Sequence, residues 1–190
     1  MRRLLLASTA ILLLAAPVAG RADEIGDAIT EASRAWQSGD AVAARMAIEE
    51  ALQLLAQRLA AKLAEALPAP LPGWTAEEAE SSAAAGGLFG GATQASRSYT
   101  NAQDQTVRIQ VTTDSPMILQ LAAVYANPVM AGSMGKLLRI GSQRAIQTSD
   151  GEIQMLVDNR ILVVVDGDAP QEAKLAYARA IDLAQLAGKR

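Results

Sequence analysis

The sequence predicts an α+β protein: an N-terminal helical hairpin followed by an antiparallel sheet with helices on one face. Three observations lead there. Residues 41–67 place their larger apolar side chains, Ile48, Leu52, Leu55, Leu59, Leu63 and Leu67, at steps of three and four, the spacing of one helix face. Further on, Val107, Ile109 and Val111 alternate with Arg108, Gln110 and Thr112, the two-residue period of a half-buried strand. From Leu137 onward, apolar runs are separated by Ser149-Asp150-Gly151 and Asp158-Asn159-Arg160, the turn signals of a meander.

Taken in order, residues 1–22 read as an export signal. Arg2 and Arg3 precede an apolar run over 4–16, which is shorter than the roughly 20 residues a bilayer span needs, and Pro17 with small residues at Gly20 and Ala22 suits cleavage. No cysteine follows, so no lipid attachment point is expected. The expected location is a bacterial periplasm, with no transmembrane anchor and no disulfide framework. The formal net charge is −3, and loss of the two leading arginines makes the remainder more acidic, which argues against nucleic acid as a partner.

Residues 23–67 form the predicted hairpin. Acidic residues open the first helix, which should run to about Trp36. Ser38-Gly39-Asp40 then supplies a helix stop and an N-cap for a second helix from Ala41 to Leu67. Three prolines in 68–73 disfavour helix and predict an extended linker. The α+β domain occupies 74–190. Strands are expected over 74–80 and 93–100. Asp114-Ser115-Pro116 should start a helix with Ser115 as N-cap and Pro116 at its first position, and Pro128 should end or kink it. A three-strand meander follows, its last strand, 161–165, apolar on both faces and hence central. A final helix should turn Tyr177, Ile181 and Ala184 inward. Laying Pro116 over Pro170 also aligns Asp114 with Asp168, Val111 with Val165 and Leu121-Ala122 with Leu175-Ala176, a possible internal duplication.

Gly39-Asp40, Ala44, Ile48, Ala51, Leu52 and Leu54, together with Ala32 and Trp36, resemble a single tetratricopeptide repeat. The likeness is confined to 23–67. The first helix lacks the repeat's leading aromatic, and no proline closes the second helix at Ala56. With one copy only, the resemblance implies a helical hairpin used as an appended element, without the peptide-binding groove of a repeat array.

The chemistry available is narrow. With no histidine and no cysteine, the usual general base, thiol nucleophile and zinc ligands are missing, so a non-enzyme without cofactor or metal is expected. Ser133 three residues before Lys136 is a formal Ser-Lys pair that reads better as a polar turn. The carboxylates Asp166 and Asp168, or Asp150 and Glu152, stand where turns and caps call for them. A methionine site for Cu(I) could draw on Met117, Met130 and Met134. The lone phenylalanine, Phe89, sits in GGLFGG with Leu88; no strand–loop–helix context surrounds it, so a connector is favoured over a flap.

The stronger functional lead is 116–131, where Gln120 is the one strongly polar residue before Asn127. One side of such a helix packs on the sheet and the other needs further cover. We therefore expect an exported, non-catalytic protein-binding or adaptor module that docks a protein partner or self-associates. The alternative is a carrier of a hydrophobic small molecule held between the sheet and the 116–131 helix. The surface residues for either are Phe89, Leu88, Met117, Leu121, Tyr125, Met130 and Met134.

Overall fold

A computed structural model describes residues 23–83, 92–113 and 115–188. Leu88 and Phe89 lie outside the described residues, as does Asp114. The chain is α+β, with two N-terminal helices, an antiparallel sheet of eight strands and further short helices.

Helix α1 (Asp23–Gln37) and helix α2 (Ala41–Glu65) form the hairpin. The turn is built as its residues dictate. Gly39 takes φ +83°, and the Asp40 carboxylate accepts a hydrogen bond from Ala43 N at 2.9 Å, capping α2. Small side chains, not the leucine stripe of α2, pack between the helices. Ala28, Ala32 and Ala35 of α1 and Ala44, Ala47 and Ala51 of α2 are the buried residues there, while Ile48, Leu52, Leu55 and Leu59 are exposed. Methyl-sized side chains let two helix backbones approach closely, and the bulky neighbours are left to one side.

The sheet runs β1 (Trp74–Ala76), β3 (Thr93–Asn101), β4 (Thr106–Thr113), β8 (Ile161–Asp166), β7 (Ile153–Val157), β6 (Gln143–Thr148), β5 (Gly135–Ile140). Strand β2 (Glu80–Ala83) shares the outer edge of β3 with β1. The meander has four strands rather than three, because Gly141 at φ +60° and Ser142 fold 135–148 into a hairpin pairing Ile140 with Gln143. Asp158 and Asn159, both at positive φ, make the tight turn between β7 and β8. Strand β8 is central, as its apolar composition on both faces predicts.

Strand register assigns the faces. Ala95, Tyr99, Val107, Ile109, Val111, Val163, Val165, Ile153 and Met155 share the main core face. It is covered by Leu63, Ala66 and Leu67 from the end of α2, by Tyr177 and Ala178 of α5 (Gln171–Ala180), and by Leu186 of α6 (Leu183–Leu186). Ala184 is exposed, because α5 stops at Ile181, whose extended backbone turns the chain before α6. Tyr177 stacks on Tyr99 with centroids 4.3 Å apart and meets Trp74 edge-on at 5.3 Å. The Tyr99 hydroxyl donates to Pro68 O at 2.7 Å, and Leu71 N donates to the Tyr177 hydroxyl at 3.2 Å. Segment 68–73 is thus fastened to the core rather than left as a spacer.

The opposite face carries α3 (Pro116–Ala126) and α4 (Pro128–Met134), which meet at a 109° bend where Pro128 follows Asn127. Helix α4 packs on β5 and β6, and the Tyr125 hydroxyl donates to Gln154 Oε1 at 3.2 Å. The helices therefore do not all share one face of the sheet. This bears on the internal alignment. Strands β4 and β8 are antiparallel neighbours whose aligned residues sit on one face, so a two-fold relating them stands normal to the sheet. Such an axis keeps each face of the sheet on itself, so α3 and its counterpart α5 would share a face, whereas they lie on opposite faces.

Candidate functional site

Two surfaces stand out, one on each part of the molecule. The first is a flank of the α1–α2 hairpin. On one side of the helix–helix contact lies a polar groove, lined by Glu24, Asp27, Glu31 and Arg34 of α1 and by Glu50 and Leu54 of α2. At 3.6 residues per turn, Ile29 and Trp36 then fall on the other side, beside Ile48, Leu52, Leu55 and Leu59. All six are exposed, Trp36 by 71% and Leu52 by 56%. One flank of the hairpin is charged and the other apolar.

The second surface is a cleft of about 410 Å³ between α4 and the β5–β6 hairpin. Pro128, Ala131, Leu137 and Ile146 supply an apolar lining, Tyr125 a phenol, and Arg139 and Arg144 two guanidinium groups. The elements place each group. The bend after Asn127, whose side chain accepts from Val129 N at 3.0 Å and so caps α4, sets Ala131 against the sheet, where it is 4% exposed. The two-residue period puts Leu137 and Arg139 on one face of β5, and register sets them opposite Ile146 and Arg144 of β6. Burial pushes the Tyr125 hydroxyl up to about 12, so the phenol stays neutral and serves as a donor.

Of the residues singled out from the sequence, Tyr125 lines this cleft. Met117 and Met130 are exposed to solvent, and Leu121 and Met134 are half-buried. Met117 opens α3, while Met130 and Met134 lie on α4, beyond the bend. The apolar flank of the hairpin and the arginine pair were not among the expected site residues. For the flank, the signal was the alanine row at 44, 47 and 51, running beside the leucines with equal regularity.

Two of the polar candidates, Ser133 and Asp168, have structural roles. Ser133 Oγ donates to Met130 O at 2.7 Å in the last turn of α4 and makes no hydrogen bond to Lys136. The Asp168 carboxylate accepts from both Thr106 N and Thr106 Oγ1, the latter at 2.8 Å, tying the chain after β8 to the start of β4. Those hydrogen bonds hold its carboxyl below the ordinary value of 3.8. Among the described residues, no group of three or more acidic side chains is placed to hold a metal ion, and no single helix is long and apolar enough to cross a membrane. No family model, no curated protein and no solved structure matches this chain.

Proposed function

We propose that this chain is an exported, non-catalytic binding module whose working surface is the apolar flank of the α1–α2 hairpin, docking a complementary apolar surface of another protein. The observation that carries this is the inverted burial of the hairpin: alanines inside, Trp36, Ile29, Ile48, Leu52, Leu55 and Leu59 outside. Large apolar residues gathered on one flank and bordered by charge are the composition of a protein–protein contact, with the aromatic as its natural anchor. The resemblance to one repeat hairpin fits an appended docking element. The reading of 1–22 as an export signal supports a periplasmic location for this activity.

A photo-crosslinking residue at position 52, with a control at exposed Gln103, tests the proposal in the exporting cell. The expected result is a discrete adduct from position 52 and none from 103. An adduct of twice the chain's mass identifies a second copy as the partner. Equal, diffuse labelling from both positions, or none from 52, overturns the proposal.

A further inference from the structure

We infer that the cleft between α4 and the β5–β6 hairpin binds a free amphipathic anion: a single acyl chain ending in a carboxylate or phosphate. The cavity, about 410 Å³, lies within the roughly 300–1,000 Å³ of small-molecule sites, and its walls are mainly aliphatic. An acyl chain matches that lining, and the two arginines match an anionic head.

Their placement is the more telling feature. Arg139 and Arg144 are directly opposite across the β5–β6 ladder, an arrangement that destabilises a sheet unless something relieves it. Neither belongs to an ion pair among the described residues. One carboxylate or phosphate seated between them would accept charge-assisted hydrogen bonds from both.

The surrounding chain is biased the same way. Between Asp114 and Asp150 there is no acidic residue, and the charged side chains are Lys136, Arg139 and Arg144. A positive stretch on a chain of net charge −3 favours an anion over a cation beside it, with Glu152, held by Gln154, the acidic group linked to the Tyr125 side of the cleft. A free ligand fits better than a bilayer, because the apolar lining is concave, walled by α4 on one side and two strands on the other. The 109° bend of α3 against α4 also prevents the pair from acting as one straight span.

Isothermal titration of the purified exported chain with laurate, kept below its micelle concentration, tests the inference. One laurate per chain is expected, with at least tenfold weaker binding of dodecyltrimethylammonium, which has the same tail and the opposite charge. Laurate affinity should fall at least tenfold in R139Q/R144Q, whose melting temperature should equal or exceed the parent's because the opposed charges are gone. Titrating the unaltered protein at low and high salt reads the same charge dependence without a substitution, and laurate binding should weaken with salt. Equal affinity for the two amphiphiles, or salt-independent laurate binding, overturns the inference. So does cosedimentation with phosphatidylglycerol vesicles without binding of free laurate, which would make the patch a membrane-surface contact. Leu52→Glu should leave laurate affinity unchanged, which separates this site from the hairpin proposal.

Discussion

The hairpin and the sheet core handle large apolar side chains in opposite ways. Beneath the sheet, Tyr99, Tyr177, Ile109, Ile153 and Met155 are fully buried. Where α1 and α2 face each other the buried positions are alanines, while Leu52, Leu55, Leu59, Ile29, Ile48 and Trp36 face outward. The core face is closed by helices across from a continuous sheet, so bulk fills the space between two layers. Helix α1 packs chiefly on α2, and a small-residue seam brings the two together, while α2 also packs on β2 and β3. The hydrophobicity of a residue therefore does not decide its burial here; the number of covering layers does.

The largest expected effect lies in the core. Tyr177→Ala removes a ring packed on both Tyr99 and Trp74 and should cost about 3–5 kcal/mol, read from denaturant unfolding. A variant retaining parental stability would break the comparison, since the core would then tolerate voids as readily as the hairpin's exposed flank.

Next comes the alanine seam. Ala47→Leu adds bulk where the helices touch and should cost about 1–3 kcal/mol, despite the gain in hydrophobic surface. A stabilised variant would show that the seam has room and that the helices are not held close by their small residues.

A smaller effect, visible through pH, belongs to Asp168. Its carboxyl is held below its ordinary 3.8 by bonds from Thr106, so its contribution is fully present above that value and lost as pH falls through the lower folded value. The melting-temperature difference between the parent and Asp168→Asn should be largest near neutrality and close on acidification below 3.8. A difference that persists unchanged in acid would mean that Thr106 is held by something other than the ionised carboxylate.

The smallest effect is expected at the hairpin's outer flank. Leu52→Ala should change the stability of the isolated chain by less than about 0.5 kcal/mol while abolishing the crosslink from neighbouring Leu55 to a partner. A loss comparable with a core truncation would place Leu52 in a packed interior.

Much of this organisation was legible in the sequence. Gly39-Asp40 marked the hairpin turn, alternation marked β4, and Pro128 marked the break between α3 and α4, because each depends on local backbone chemistry. The side of α2 that is buried was not legible. Alanines at 44, 47 and 51 and leucines at 52, 55 and 59 recur at the same helical steps, so periodicity alone cannot rank them. The turn at Gly141-Ser142 was not legible either, because the short strands on each side of it, 135–140 and 143–148, lack a clean two-residue alternation. Of the cleft, Tyr125 could be named from its apolar helix. Arg139 and Arg144 become neighbours only through strand register, which the Gly141-Ser142 turn sets.

The two tyrosine hydroxyls that hold Pro68 and Leu71 have a mechanical consequence. Helix α2, about 37 Å long at 1.5 Å per residue, is anchored at its C-terminal end by Leu63 and Leu67 in the core, and the chain leaving it is clamped at once. The hairpin is thus a lever with its fulcrum at the Tyr99–Tyr177 stack. Load applied near Trp36 by a bound protein would reach the stacked rings beneath the sheet instead of being absorbed by a slack tether.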